Sequence, residues 1–223
     1  MSRLPAFLLA PIALVQGRSL QRSTPRLQPA SPRSGGSRSP DATRLLVLGD
    51  STAVGTGVEQ MADAVAGQLA RRLPQSVAWR VVGANGMTAA EVRERHLAEA
   101  LSDPADIAVV LVGWNDALRL RPAAEFRENL GAVLDALVKR NPDAQVVVVG
   151  PPVFSDFAAM PQPLRSALGA HARGLGRVAA RVAADYRAIV VPGFDGVHVA
   201  SDRFHPDAEG YAGIAESVAA RLG

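Results

Sequence analysis

A serine, an aspartate and a histidine in this sequence have the types and spacing needed for nucleophilic chemistry. Ser51 follows Gly49 and Asp50 at the end of an apolar run, and Asp202 stands three residues before His205. A serine hydroxyl is a weak nucleophile until an imidazole accepts its proton, and a carboxylate keeps that imidazole in the required tautomer. We therefore interpret Ser51, Asp202 and His205 as a candidate catalytic triad.

Groups that could stabilise a negatively charged oxygen follow other apolar runs. Gly86 can offer a backbone N–H with no side chain in the way, and Asn115 can offer its side-chain amide. Ser51 can add its own N–H, at the start of a helix where the dipole is positive. Attack on an ester carbonyl creates an oxyanion that needs fixed donors about 3 Å away. We predict an oxyanion hole of Ser51, Gly86 and Asn115, with Gly83 as the alternative glycine.

The Asp-x-x-His spacing of the triad occurs twice. Asp195 and His198 are separated in the same way as Asp202 and His205, so spacing by itself does not select the base. Only His205 leads directly into a helix that starts with proline, which would hold its imidazole at the edge of a sheet. We predict His205 as the base and keep His198 as the alternative.

Five apolar runs that alternate with helical patterns would bring these residues together. The predicted strands are residues 44–49, 77–82, 107–113, 146–150 and 188–191, and the predicted helices are 59–73, 88–101, 123–140, 164–186 and 206–222. This alternation predicts an α/β fold with a three-layer, doubly wound, five-stranded parallel sheet. Functional groups in such sheets gather at the carboxyl ends of the strands, where the candidate residues lie.

Three aromatic residues stand near the same edge of the predicted sheet. Phe154 and Phe157 belong to an apolar loop after the fourth strand, and Trp114 follows the third strand. Exposed aromatic side chains at that edge would suit the wall of an acyl-binding pocket. We predict all three as substrate-binding residues. The alternative is that they are core residues beneath the loop and the sheet edge.

At these motifs the chain resembles the SGNH hydrolase family, also called the GDSL esterases and lipases, over nearly all of residues 44–223. The resemblance implies a flavodoxin-like fold, and the stretch from His205 to Tyr211 is typical of the family's final helix. The first forty residues resemble the N-terminal extension of a subgroup of bacterial members. The family's site residues match positions already named, with Ser51 as nucleophile, Gly86 and Asn115 as oxyanion donors, and Asp202 and His205 as acid and base.

The resemblance implies a serine hydrolase that cleaves small or medium-chain carboxylic esters through an acyl-enzyme, without a metal or a cofactor. The family also includes thioesterases, lysophospholipases and carbohydrate deacetylases, so the substrate stays open. Two other functions remain as alternatives. A metal-dependent phosphoesterase also uses Gly-Asp and Gly-Asn strand ends, but it needs several histidine and aspartate ligands. A binding module could use the same fold without catalysis.

The basic charge of the chain lies in its first forty residues. Residues 1–40 contain six arginines and no acidic residue, so the rest of the chain carries 18 basic and 21 acidic side chains. A nucleic-acid-binding domain would concentrate its basic patch on the fold itself, so we expect no nucleic-acid partner. The sequence contains no cysteine, which excludes disulfides and cysteine nucleophiles.

Residues 1–41 are predicted to lie outside the single domain formed by residues 42–223. The apolar run of residues 4–15 would reach about 18 Å as a helix, too short for a hydrocarbon core of about 30 Å. A stretch rich in Ser, Pro, Arg and Gly follows it and is typical of a flexible linker. We expect membrane-surface association through residues 4–26 as an uncleaved anchor, export if the run is a signal peptide, or packing on the domain. Removal of the first 41 residues is predicted to leave the domain active.

Overall fold

The computed structural model describes residues 15–16, 19, 24–154 and 157–222, and its centre is a six-stranded sheet. Its strands are β1 Ser34–Gly36, β2 Thr43–Gly49, β3 Val77–Gly83, β4 Ile107–Leu111, β5 Gln145–Val149 and β6 Ile189–Val191. Their order is β1-β3-β2-β4-β5-β6, with β1 antiparallel to β3 and the other strands parallel. The predicted doubly wound parallel sheet is confirmed, with one strand more than the five that were predicted.

Helices cover both faces of the sheet. They are α1 Val65–Ala70, α2 Ala89–Arg95, α3 Leu97–Ala100, α4 Trp114–Leu118, α5 Ala123–Arg140, α6 Leu164–Asp185 and α7 Ala208–Leu222. One apolar core contains residues of α1 and α7, and the other contains residues of α2, α5 and α6. In α5 the buried Phe126, Leu130, Leu134 and Leu137 recur at helical spacing, which is why its predicted bounds agree with the structure.

Two predicted helices are interrupted in the structure. The segment predicted as a helix over residues 59–73 is a 3-10 turn at Met61–Asp63 followed by α1. A Cβ at Gly67 would lie 2.4 Å from the Cα of Ala62, so glycine lets the turn pack closely on α1. The segment 88–101 divides into α2 and α3. The five-residue helix α4 was not predicted, because less than two turns carry no readable period.

The carboxyl ends of the strands are in register. Gly49 pairs with Gly83 on one side and with Leu111 on the other. Leu111 pairs in turn with Val149, and Val149 with Val191. Parallel strands that end in register present their following loops at one edge of the sheet. The loops after β2, β3, β4 and β6 therefore meet at that edge.

Residues 27–37, here called the N-terminal strap, pack on the domain. The N–H of Ala30 donates to the carbonyl of Val54 at 3.0 Å, and the carbonyl of Ser31 accepts from the N–H of Met61 at 2.9 Å. Ala30 is buried, and β1 then pairs with β3. The linker prediction is therefore wrong for these residues. The strap is held by backbone hydrogen bonds along a sheet edge, which a sequence rich in Ser, Pro and Gly does not reveal.

Most of residues 4–26, on which the membrane prediction depends, lie outside the described residues. Gln16 is described, and its Nε2 donates to the carbonyl of Gln162 at 2.7 Å. Within the described parts of the chain, no helix is long and apolar enough to cross a membrane.

Truncation before and after the strap should give different thermal stabilities, while retained activity without the first 41 residues stays a prediction. Removing residues 1–23 keeps every strap contact, so the midpoint of thermal unfolding should stay close to that of the full chain. Removing residues 1–37 deletes β1 and the buried Ala30, at a cost of roughly 3 kcal/mol in backbone hydrogen bonds and apolar burial. A loss of that size lowers the midpoint by on the order of 10 °C. Equal midpoints for the two truncations, measured by circular dichroism, would contradict a stabilising strap.

Candidate active site

Ser51 lies in a tight loop after β2, here called the nucleophile loop, residues 50–57. Asp50 shapes its start, because Oδ1 of Asp50 accepts from the N–H of Thr52 at 3.0 Å. The chain continues in turns, and α1 begins only at Val65. The expectation that a helix starts at Ser51 is therefore wrong, and no helix dipole acts on its N–H.

Gly86 belongs to the loop after β3, here called the oxyanion loop, residues 83–88. Its φ of +78° is left-handed, and a Cβ built there would meet only Arg119 within 4 Å. Gly83 differs, because a Cβ there would lie 1.9 Å from the carbonyl oxygen of Gly49. Gly83 thus permits close packing of two strand ends, and Gly86 is the open glycine of this loop.

Asn115, in α4, connects the two loops. Its side chain is largely buried, at 8% exposure for the residue. Its Nδ2 donates to the carbonyl of Met87 at 3.0 Å and lies 3.4 Å from Oδ2 of Asp50. The amide is therefore held in a fixed orientation between the nucleophile loop and the oxyanion loop.

Asp202 and His205 form a hydrogen-bonded pair. Nδ1 of His205 donates to Oδ2 of Asp202 at 2.5 Å, and the Asp202 side chain is fully buried while that of His205 is 24% exposed. Burial favours a higher pKa for Asp202, but hydrogen bonds from His205 and from the N–H of Phe204 outweigh it and hold this pKa below its usual value. The ionised carboxylate thus fixes the imidazole tautomer that leaves Nε2 as a proton acceptor.

The second Asp-x-x-His motif is arranged differently. Oδ1 of Asp195 accepts from the N–H of Val197 at 3.1 Å. Nδ1 of His198 lies 2.8 Å from Oε2 of Glu209 on α7, and the His198 side chain is 52% exposed. Of the two motifs, the one that ends at His205 has the contact between its own aspartate and its own histidine.

The loop that carries His205 packs directly on the nucleophile loop. A Cβ at Gly57 would lie 2.2 Å from the carbonyl oxygen of Pro206 and 3.3 Å from Cβ of His205, so this approach requires glycine. The buried Tyr211 of α7 donates from its hydroxyl to the carbonyl of Thr56 at 2.7 Å. These contacts bring the imidazole to the loop that holds the candidate nucleophile.

Residues 47–212 match the model of the GDSL-like lipase/acylhydrolase family, a span that holds all the candidate triad and oxyanion residues. The chain belongs to this family. The resemblance to the GDSL hydrolases that the motifs predict is therefore confirmed.

Known proteins support the same assignment. A GDSL-like esterase of Mycobacterium tuberculosis is 29% identical over 193 residues, which cover 78% of this chain and 59% of that protein. The chain thus spans less than two thirds of this relative's length. The structure of TesA shares the fold with a TM-score of 0.66 and 23% identity, covering 81% of this chain and 98% of TesA. An extracellular lipase of Streptomyces rimosus does so with a TM-score of 0.61 and 21% identity, covering 80% and 99%.

The aromatic residues of this GDSL-family chain form a cluster beneath the sheet edge. Phe154 and Phe157 are 1% and 0% exposed, so the prediction of exposed side chains on a loop is wrong for both. Each ring centroid lies 5.0 Å from that of Trp114. Burial of these two rings stabilises a loop conformation that points them inward, because burial of a phenyl ring is worth about 2 kcal/mol or more. Of the three predicted residues, Trp114 is the one that is partly exposed.

Two buried carboxyl groups lie behind the loops of the GDSL-family site. Burial raises the pKa of Asp50 to about 7, although hydrogen bonds from Thr52 and the charge of His205 oppose the shift. Burial likewise raises the pKa of Asp116 to about 6, against a hydrogen bond from the N–H of Ala89 at the start of α2. Near neutral pH, Asp50 is thus only partly ionised, at the start of the nucleophile loop.

Replacing Asp50 with asparagine should change how stability depends on pH. A carboxyl whose pKa rises on folding binds a proton more tightly in the folded state, so its stabilising effect is present below pH 3.8 and is lost as the pH rises to about 7. That loss is on the order of 4 kcal/mol. Asp50→Asn cannot ionise, so its unfolding midpoint should fall less than that of the wild type between pH 5 and pH 8. Asp116 is present in both proteins, so its titration contributes to both pH profiles. Identical pH dependence of the two unfolding midpoints would contradict a raised pKa of Asp50.

Two polar residues at the GDSL-family site were missed in the sequence. Nδ2 of Asn85 donates to the carbonyl of Leu27 in the strap at 3.2 Å, and its Oδ1 accepts from the hydroxyl of Thr56 at 2.6 Å. Nη2 of Arg119 donates to the carbonyl of Gly86 at 2.7 Å. Both residues stand in exposed stretches without periodicity, and their partners are far away along the chain. Local sequence patterns therefore do not indicate Asn85 or Arg119 as site residues.

Proposed function

We propose that this chain hydrolyses carboxylic esters through an acyl-enzyme intermediate formed on Ser51. The observation that carries the proposal is the Asp202–His205 pair, which packs against the nucleophile loop with Nδ1 occupied by the carboxylate. In this arrangement Nε2 of His205 accepts the proton of the Ser51 hydroxyl as its oxygen attacks the ester carbonyl. The ionised Asp202 stabilises the imidazolium that forms.

Both half-reactions use the same groups. The tetrahedral intermediate collapses when His205 gives its proton to the leaving alcohol, and the acyl group stays on Ser51. His205 then takes a proton from water as the water oxygen attacks the acyl carbon. When this second tetrahedral intermediate collapses, His205 gives that proton to the Ser51 oxygen, and the acid leaves. The oxyanion of each step accepts from the backbone N–H groups of Ser51 and Gly86 and from the side-chain amide of Asn115.

The two hydrogens of the Asn115 amide suit this role. One is used in the 3.0 Å bond to the carbonyl of Met87, which orients the group. The other faces Asp50 across 3.4 Å, a long and weak hydrogen bond. An oxyanion carries a full charge and can approach more closely than the partly ionised Asp50, so it is the better acceptor for that second hydrogen.

Small or medium-chain carboxylic esters are the substrates that we propose. The relative from Mycobacterium tuberculosis is described as an esterase, which favours the same class of reaction here. Trp114 is adjacent to Asn115 and is supported from behind by Phe154 and Phe157, so its partly exposed ring can form one apolar wall for an acyl chain. The two phenylalanines then act by holding the indole and not by contact with substrate.

A panel of p-nitrophenyl esters from acetate to decanoate, assayed beside an acetylated-sugar panel, tests the substrate class. Labelling of the intact chain by a fluorophosphonate, followed by peptide mass analysis, tests the nucleophile. We expect hydrolysis of the shorter esters and a single label on Ser51. Activity that disappears with a chelator would favour a metal-dependent phosphoesterase. No hydrolysis and no label would favour a binding module.

A further inference from the structure

The short helix α4 and Arg119, the residue that follows it, hold the oxyanion loop at two neighbouring carbonyl groups. Arg119 donates to the carbonyl of Gly86 at 2.7 Å, and Asn115 donates to that of Met87 at 3.0 Å. The N–H of Arg119 donates to the carbonyl of Asn115 at 2.9 Å, as in one helical turn. Residues four apart in a helix project from the same face. The loop is therefore attached to one turn of helix at two successive peptide groups.

Glu91 completes the attachment. Nη1 of Arg119 lies 3.1 and 3.2 Å from the two carboxylate oxygens of Glu91. The same carboxylate accepts from the N–H of Thr88 at 2.9 Å and from its hydroxyl at 3.0 Å. Because Gly86 and Thr88 are two residues apart, the ion pair of Arg119 and Glu91 closes a ring around Met87. The loop is held at both ends of this short stretch.

Gly86 needs such support more than another residue would. Its φ of +78° lies in a region that glycine enters and leaves at little cost, so its own backbone does not set the direction of its N–H. Asn85 is the residue before Gly86, and hydrogen bonds to Thr56 and to the strap hold it in place. Arg119 restrains the peptide that follows Gly86. Oxyanion donors stabilise the transition state only when they are fixed in place before the reaction.

We propose that Arg119 is a positioning residue, whose guanidinium fixes the peptide that follows Gly86 and so limits rotation of the Gly86 backbone, which keeps the Gly86 N–H directed at the oxyanion. This inference rests on the proposed function, in which that N–H is a donor. Arg119 acts through the loop and does not contact the reacting atoms. The planar fork of arginine reaches the carbonyl of Gly86 and the carboxylate of Glu91 together, which the single ammonium of lysine does less well.

Kinetics of Arg119→Gln and Arg119→Lys in the full chain test the inference. With p-nitrophenyl butyrate we expect kcat to fall roughly 10- to 100-fold while KM changes by less than about threefold. The unfolding midpoint should change by only a few degrees, because the ion pair with Glu91 is partly exposed to solvent. Arg121→Gln is the matched control. The Arg121 side chain as a whole is exposed to a similar extent and lies 3.7 Å from Glu125, so kcat should stay near the wild-type value.

A double variant tests whether Arg119 and Glu91 act together on the oxyanion loop. If Arg119 and Glu91 act in one network, Arg119→Gln combined with Glu91→Gln should lower kcat no further than Arg119→Gln does. A higher KM with unchanged kcat in the single Arg119 variants would overturn the inference and assign Arg119 to substrate binding. Additive losses of kcat in the double variant would overturn it as well. If wild type is active and labelled at Ser51 while both Arg119 variants keep wild-type kcat, the inference fails and the proposed function stands. A wild type that is neither active nor labelled overturns both.

Discussion

Ser51→Ala is expected to lower kcat for p-nitrophenyl esters by roughly 10⁴- to 10⁶-fold, the largest effect of any substitution in this chain. The variant lacks the oxygen that forms the acyl-enzyme in the proposed mechanism, so neither half-reaction can proceed on this residue. Ser51 is buried, but alanine is smaller and needs no hydrogen bond. The unfolding midpoint should therefore stay within about 3 °C of the wild type.

The matched control for this substitution is Ser201→Ala. Ser201 is an exposed serine that directly precedes Asp202, so its replacement also removes a hydroxyl from the active-site edge. Its kcat should remain close to the wild-type value. Near-normal turnover in Ser51→Ala, measured by stopped-flow and steady-state release of p-nitrophenol, would show that the serine-hydrolase proposal is wrong.

The second large effect is expected at His205. His205→Ala removes the group that accepts the serine proton and leaves Asp202 as a buried carboxylate without its partner. We expect kcat/KM to fall by about 10⁴-fold or more. In the wild type, Asp202 is expected to keep its charge over the assay range, since hydrogen bonds from His205 and Phe204 hold its pKa below the usual value. Loss of wild-type activity in acid is therefore not expected to come from protonation of this carboxylate.

His198→Ala is the control, because it removes an imidazole at the same spacing from an aspartate. His198 is paired with Glu209 at the surface, an interaction worth about 0–1 kcal/mol of stability. Its kcat/KM and the acid limb of its pH–rate profile should match the wild type. If His198→Ala were inactive while His205→Ala kept the wild-type profile, the base would have to be reassigned to His198.

Much of the fold could be predicted from the sequence, because burial imposes a period on the side chains. The central parallel strands β2, β4 and β5 are apolar runs buried on both faces, and α5 repeats its buried residues at helical spacing. Residues at the ends of such strands must share one edge of the sheet. That rule alone predicts that Ser51, Gly86 and Asn115 lie at the same edge of the sheet.

Other features depend on contacts that have no pattern in the sequence. The strap is held through its backbone groups, so its Ser, Pro and Gly composition resembles a linker. Phe154 and Phe157 stand in an apolar loop without a regular period, and only the packing of that loop on Trp114 shows that they are buried.

The choice between the two Asp-x-x-His motifs also required the tertiary structure. Spacing is identical in both, and what differs is the partner that the fold supplies. Helix α7 brings Glu209 to His198, whereas the turn after Asp202 directs its carboxylate back to His205. The sequence by itself determined which chemical groups are present and at which sheet edge they meet. The tertiary structure decided which of them are paired, buried or held in place, because those properties depend on partners that are distant along the chain.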